Sequence, residues 1–330
     1  MADSFIQTEL HELRKEYQKE LPGSELIACH PVSVRVKMTK TEYRQFDVCL
    51  QFPEGYPNTS IVVELKSKTI PEKLRDGLTK VCDTETKKLC GKPQLLPVLR
   101  LLKQFLDDNP FAICSEELSF IKKELITEKD QIKVKQKSGS ISMTIYQDNY
   151  YFSFKMIVPE EYPAKQVCIQ KVDDNFPKLF STVFFNQAIE MARQCVEPPL
   201  KKKPKDAPFE PKPSLKLIAK FLVEDCIRRY PRDPCQICKD NAFPPDPKSV
   251  VTVPSNDRYI ERVYCCHLFH HGCLDTFMKT PPFTGGKKCP GCKQRIYHDK
   301  WNITPRLAEE RWAHQEAKRR ELAEVVDFLE

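Results

Sequence analysis

Residues 52–57 read Phe52-Pro53-Glu54-Gly55-Tyr56-Pro57, and residues 158–163 read Val158-Pro159-Glu160-Glu161-Tyr162-Pro163. Both close an alternating apolar stretch with Pro-Glu-x-Tyr-Pro. Proline fixes φ and removes an amide donor, so the chain must leave a β-ladder there and turn, and a tyrosine ring can pack over the turn. The same turn at two places one domain length apart asks whether its surroundings also repeat.

They do. Before the first turn, Ser4 and Gln7 stand at capping-box spacing, and Ile6, Leu10, Leu13 and Tyr17 recur at helical intervals. Val32/Val34/Val36/Met38 and Phe46/Val48/Leu50/Phe52 then alternate, and Ile61 to Leu65 is a short apolar run, which predicts an antiparallel meander. Leu74/Leu78/Val81 and Leu95/Leu99/Leu102/Leu106 return to helical spacing. The second copy runs in the same order. Ser115 is expected to cap a helix through Leu118, Ile121 and Leu125, strands follow at Ile141/Met143/Ile145 and Phe152/Phe154/Met156, and helices near 180–195 and 214–229.

This motif in a helix, strands, helices setting resembles the RWD domain, a relative of the ubiquitin-conjugating fold, over residues 5–107 and 114–229. The resemblance implies protein binding. Conjugation itself needs a thiolate beside a His-Pro-Asn turn, and the one His-Pro, His30-Pro31, precedes the Tyr-Pro turn and is followed by Val32. Cys82, Cys90, Cys168 and Cys195 are therefore not expected to be nucleophiles. The second copy is interrupted by a Pro/Lys-rich loop at 197–213, whose Lys201, Lys202, Lys203 and Lys205 resemble a nuclear-import signal, although a solvated basic loop is the commoner origin of such a run.

Fifteen cysteines are present, and seven fall within 235–292 while eight are scattered. The clustering favours metal over cross-links, and the scattered ones, such as Cys49 in Phe46-Asp47-Val48-Cys49-Leu50, are expected as small core hydrophobes. The cluster reads Cys235-x2-Cys238, then Cys265-x-His267-x2-His270-x2-Cys273, then Cys289-x2-Cys292. Thiolates and imidazoles in this pattern supply eight ligands, enough for two tetrahedral Zn2+ ions. Cys266 and His271 sit beside ligands and could replace them, but Cys266 would leave no residue between the third and fourth ligands, and both are left out.

The ligand order resembles the RING-H2 finger. That resemblance implies an interleaved cross-brace, with Cys235, Cys238, His270 and Cys273 on one zinc and Cys265, His267, Cys289 and Cys292 on the other. It also implies a surface for a ubiquitin-conjugating enzyme, formed by Ile237, Phe277 and Pro290 as a shallow apolar groove. Lys293 stands where active fingers commonly carry an arginine that bridges enzyme and ubiquitin, and lysine lacks the planar fork.

Thr304-Pro305 predicts a helix start, and the run beyond it is rich in helix formers; Leu322, Val325, Val326 and Leu329 give it an apolar stripe expected to pack on the finger, with binding of a partner as the alternative. The whole is expected to be an α+β chain: RWD-like domains at 1–109 and 110–231, a RING-H2 finger at 232–298 and a C-terminal helix at 299–330. The architecture is similar to the tandem-RWD-plus-RING part of the Fanconi anaemia core-complex ligase. The resemblance implies a RING-type E3 ubiquitin ligase without a catalytic cysteine, whose partners are a ubiquitin-conjugating enzyme, ubiquitin and a protein substrate. The alternative is a non-enzymatic adaptor whose zinc knot is structural.

Composition limits the other classes. A net charge of +7 with interleaved signs does not call for nucleic acid. The first 13 residues are broken by Asp3, Glu9 and Glu12, and no run reaches the length of a membrane span, so an intracellular protein, cytoplasmic or nuclear, is expected.

Overall fold

The computed structural model of the chain describes residues 2–199, 208–297, 299–301 and 304–329. Lys201, Lys202, Lys203 and Lys205 lie outside them. Two compact units emerge, one of Met1–Ile145, Ser153–Asp173 and Thr182–Val223, the other of Tyr146–Phe152, Asp174–Ser181 and Glu224–Glu330.

The chain opens with α1 (Ala2–Glu20), then β1 (Ser24–Cys29), β2 (Ser33–Thr39), β3 (Gln45–Gln51) and β4 (Val62–Lys66), an antiparallel sheet in sequential order. The alternation works as expected: Val34, Val36 and Met38 of β2 and Phe46, Val48 and Leu50 of β3 are all buried. Two helices, α2 (Glu72–Lys88) and α3 (Leu95–Asp108), complete the module, and Leu10 and Leu13 of α1 join Leu95, Leu99, Leu102 and Leu106 of α3 in one core with the sheet.

Several local expectations are corrected. Ser4 does not cap α1, because the helix already runs from Ala2; its carbonyl instead accepts from the Thr8 hydroxyl at 2.9 Å. Val32 lies before β2 and is exposed, and Val81 faces outward from α2. Cys49 is only half-buried, since it falls on the face of β3 opposite Val48 and Leu50. Strand β1 was not anticipated; its burial alternates, but the inner face is only half-buried up to Cys29, which is how a half-covered edge strand reads.

The second set of elements begins with a 3-10 turn at Pro110–Cys114 that leads into α4 (Ser115–Phe120) and a wider π-helical turn at Ile121–Leu125. Ser115 is thus the first helical residue, with Cys114 at the cap position. A four-stranded sheet follows, β5 (Gln131–Lys135), β6 (Ser140–Gln147), β7 (Tyr150–Ile157) and β8 (Cys168–Asp174), again in sequential order. Buried Ile141, Met143 and Ile145 alternate along β6, as Phe152, Phe154 and Met156 do along β7. Helix α5 (Lys178–Val196) and helix α6 (Leu215–Lys220), which continues as a π-helical segment through Arg228, close the set.

Beyond it lie the hairpin β9 (Ile260–Arg262) and β10 (Leu268–His270), helix α7 (His271–Lys279) and the long α8 (Pro305–Leu329). Within the second unit Phe243 is buried among Tyr150, Phe176, Phe180 and Tyr230, with ring centroids 5.0 to 6.5 Å away, and the Tyr150 hydroxyl donates to the Pro244 carbonyl at 2.8 Å. Edge-to-face rings of this kind add to the burial they bring.

Thr304 caps α8 through its hydroxyl and carbonyl, which accept from Leu307 and Ala308. The apolar stripe does not pack as expected: Leu322 and Val326 are more than half exposed, and the side chains of Val325 and Leu329 lie outside the described ones. Among the described side chains of the helix, Ala308 in its first turns is the buried one. No helix among the described residues is long and apolar enough to cross a membrane.

Candidate metal centres and the adjoining groove

Each Cys-x2-Cys is built as the same turn. The Lys239 amide donates to the Cys235 carbonyl at 3.0 Å, and the Lys293 amide to the Cys289 carbonyl at 2.8 Å. Returning bonds run from the Cys235 amide to Asp240 and from the Cys289 amide to Gln294. Lys239 and Lys293, the residues after each pair, both take the left-handed conformation, φ 69° and 63°. A single residue at positive φ lets the backbone fold under the two sulfurs, and this is where the strain of the knuckle is held. Gly291 is fixed by space, because a Cβ there would come within 2.6 Å of Gln236 Oε1 and 3.1 Å of His267 Nε2.

The hairpin between the knuckles supplies the remaining donors. Pairing of β9 with β10 brings His270 opposite Ile260, and α7 starts at once, which places Cys273 one turn in. The result is two clusters, Cys235, Cys238, His270 and Cys273, and Cys265, His267, Cys289 and Cys292, each with its ligand atoms within 4.8 Å of one another. His270 Nδ1 lies 3.3 Å from Cys238 Sγ, and His267 Nδ1 lies 3.3 Å from Cys265 Sγ. With sulfur at about 2.3 Å and nitrogen at about 2.0 Å from a tetrahedral ion, the edge between them is about 3.5 Å. The donor sets therefore fit a tetrahedral zinc ion in each cluster.

The surroundings suit the same chemistry. Burial alone would raise the Cys235 thiol, yet the backbone amides of His270, Ile237 and Cys238 converge on its sulfur and hold it below its ordinary pKa. The Gln294 amide holds Cys292 down in the same way, whereas burial pushes Cys265 and Cys273 up to about 12. Burial, and then Arg258, lower His270, and its ring also bonds the Asn241 backbone, the kind of partner that orients a metal-binding imidazole.

Cys266 and His271 stand apart, as anticipated. Cys266 occupies the hairpin turn at φ 64° and its sulfur accepts from Arg262 Nη2 at 2.9 Å, while His271 Nδ1 is 3.1 Å from Glu261 Oε1. Neither belongs to a cluster.

The core around the two clusters is small: Val263, Phe269, Leu274 and Ile296 with Cys235 and Cys289, against which Ile237, Phe277 and Met278 are packed half-buried. Ile237 and Phe277 line one open groove with Thr276, Thr280, Asp257 and Arg258. Pro290 and Lys293 do not line it; Pro290 is half-buried on the second knuckle and Lys293 is exposed beside it.

The four non-cluster cysteines singled out earlier divide by environment. Cys82 is buried, and burial pushes its thiol up to about 12; burial also raises Cys195. Cys90 and Cys168 are exposed, which corrects the expectation that the scattered cysteines are all core residues.

Two carboxylates went unread in the sequence. Glu9 is buried and accepts from the Tyr56 hydroxyl and from the Gln94 and Leu95 amides at 2.5 and 2.6 Å. Glu117 accepts from Tyr162 at 2.7 Å and from the Lys216 amide at 2.9 Å. The available signal was an acidic residue on the otherwise apolar stripe of each leading helix, as Glu9 stands beside Leu10.

Residues 5–106 match the RWD domain family, so the chain carries an RWD domain, of ubiquitin-conjugating-enzyme-like fold, at its N-terminal end. No curated protein matches the chain.

Proposed function

We propose that the chain is a RING-type E3 ubiquitin ligase: an RWD domain, a second RWD-like domain at 110–231, a RING-H2 finger at 232–298 holding two zinc ions, and a terminal helix. The observation that carries this reading is the interleaving of the two four-ligand clusters beside a half-exposed apolar groove. A knot that only stapled a small fold would need the ligands but not Ile237 and Phe277 held open toward solvent.

Support for the second RWD-like domain comes from its sheet order and from its Pro-Glu-x-Tyr-Pro turn. In both copies the tyrosine amide donates to the first proline's carbonyl at 3.2 Å and the tyrosine hydroxyl bonds a carboxylate on the leading helix.

In this reading, zinc supplies structure and no reaction step. Ile237 and Phe277 receive a loop of the charged conjugating enzyme, and Pro290 and Lys293 extend the contact toward ubiquitin. Catalysis is positional: the finger biases the linked ubiquitin toward attack by a substrate lysine, and the RWD surfaces hold the substrate, which raises its effective concentration. No cysteine of the chain becomes charged. The protein acts inside the cell, in cytoplasm or nucleus, where the conjugating enzymes are.

The test is discharge of a panel of ubiquitin-charged conjugating enzymes by purified protein of measured zinc content. Acceleration of at least one is expected. One observation favours a second reading, an adaptor without transfer activity: Lys293 carries a mobile ammonium where a planar guanidinium would make several fixed bonds. An adaptor accelerates none of the panel.

A further inference from the structure

We propose that Lys287 is a positioning residue for the partner groove, its ammonium group holding the Phe277 ring and the end of α7 from behind. This rests on the ligase reading, because it takes the groove lined by Ile237 and Phe277 as the surface that receives the conjugating enzyme.

Lys287 is 8% exposed, unusual for a lysine. Its Nζ lies 4.7 Å from the centroid of Phe277 and 5.3 Å from that of Phe283, and it donates to the carbonyl of Thr280. Thr280 is the C-cap of α7, where unsatisfied carbonyls attract a cation. Ring faces do the same through their quadrupole. Two ring faces and a helix-end carbonyl thus do what a carboxylate would ordinarily do for a buried cation.

The consequence falls on the groove. Phe277 and Thr280 both line it, and Lys287 does not. Phe277 is half-buried and would have freedom to turn about its side-chain bonds; the ammonium beneath it selects one ring position. The same ammonium ties the last turn of α7 to the 283–287 loop, which keeps Thr280 at the groove's edge.

Lys287→Met keeps the length and apolar stem but removes both interactions, and Lys287→Arg keeps a cation. In the full-length protein, Lys287→Met should raise the KM for a ubiquitin-charged conjugating enzyme about five- to tenfold, with kcat little changed. Zinc content and melting temperature should hold, and Lys287→Arg should recover most of the KM. An unchanged KM, or a fall confined to kcat, overturns the proposal. A second measurement is independent of transfer: with ring-13C phenylalanine in the full chain, the Phe277 resonance should shift and broaden in Lys287→Met while that of Phe120 stays in place. An unmoved Phe277 signal overturns the positioning role whatever the kinetics. If wild type discharges no conjugating enzyme, the ligase reading fails and the ring resonance alone decides the role of Lys287.

Discussion

The hydroxyl of Tyr162 donates to Glu117 at 2.7 Å and accepts from the Ser214 and Leu215 amides at 2.7 and 3.1 Å, joining the Pro-Glu-x-Tyr-Pro turn to the start of α6. Glu9 and Tyr56 form the corresponding pair in the first module, where Glu9 itself takes the Gln94 and Leu95 amides at the start of α3. In both modules a carboxylate on the leading helix and a tyrosine on the turn supply the cap that the final helix lacks; neither Gln94 nor Ser214 makes a side-chain cap bond. Free amides at a helix start favour an anion, so the pair closes each module on itself.

Glu9→Ala should therefore destabilise the RWD domain by about 3 kcal/mol or more, since it strands two helix amides and a buried hydroxyl. Tyr162→Phe should cost about 1–3 kcal/mol in the second module. Glu12→Ala, on the exposed face of α1, should stay within about 0.5 kcal/mol. Urea unfolding of the three variants makes the comparison. A Glu9→Ala protein as stable as Glu12→Ala would remove the cap from the account.

Glu117 also sets a pH dependence. Burial raises its carboxyl above the ordinary value, against the opposing bonds from Lys216 and Tyr162. A carboxyl raised in the folded state binds its proton more tightly there than in the unfolded chain. Its contribution is thus fully present below about pH 4, the unfolded value, and is lost as pH rises through the folded one. Relative to Glu117→Gln, wild type should lose stability with rising pH over that window. Paired denaturation curves at a series of pH values check the sign; a gap that stays constant with pH contradicts it.

Strand interiors and the two Cys/His clusters were legible because their signals are local. Val34/Val36/Met38 alternate, and the eight cluster residues stand at fixed short spacings. What was missed depends on distant partners. Glu9 meets residues 85 and 86 positions away, so the sequence beside it shows only an acidic residue on an apolar helix stripe and not what that residue binds. Edge strands β1, β5 and β8 were not read because one or both of their faces meet solvent and their polar residues hide the period. Ser4 and Ser115 misled because a capping residue types only the start of a helix, and both helices take up those serines as helical residues. The stripe at the end of α8 has the right spacing for packing, but its described members, Leu322 and Val326, are more than half exposed.

Zinc content tests the centres directly. Purified protein should hold two zinc ions per chain, and Cys289→Ser should lose metal and unfold the finger. The RWD domain should survive chelation, because its core draws only on residues within 5–106 and includes no cluster ligand. Elemental analysis with circular dichroism reports both, and one zinc per chain would break the ligand assignment.

The scattered cysteines give the next expectation. Burial raises Cys82 and Cys195, which leaves little thiolate, and Cys90 and Cys168 are exposed without forming part of a cluster. Serine at each of the four should leave ubiquitin transfer intact. Capture of a ubiquitin thioester on any of them, resolved by reducing and non-reducing gels, would overturn the non-covalent mechanism.

The groove separates ligase from adaptor. Ile237 is half-buried against the small core around the clusters, and it lines the groove with Phe277. Ile237→Ala should weaken binding of the conjugating enzyme by about 1–3 kcal/mol, as truncation at the centre of a small interface does. Both zinc ions should remain, since Ile237 is no ligand. Lys293→Arg is the complementary change. The position is exposed and its backbone already sits at φ 63°, a conformation that arginine tolerates no worse than lysine, so the substitution alters only the head group. If Lys293 bridges enzyme and ubiquitin, the guanidinium should raise the discharge rate several-fold by offering a planar set of donors. If the finger is only structural, neither substitution changes any rate. Discharge kinetics for the two variants, measured beside zinc content, give opposite signs for the ligase, a loss at Ile237 and a gain at Lys293. A correctly metallated Ile237→Ala protein with full transfer activity would place recruitment elsewhere on the chain.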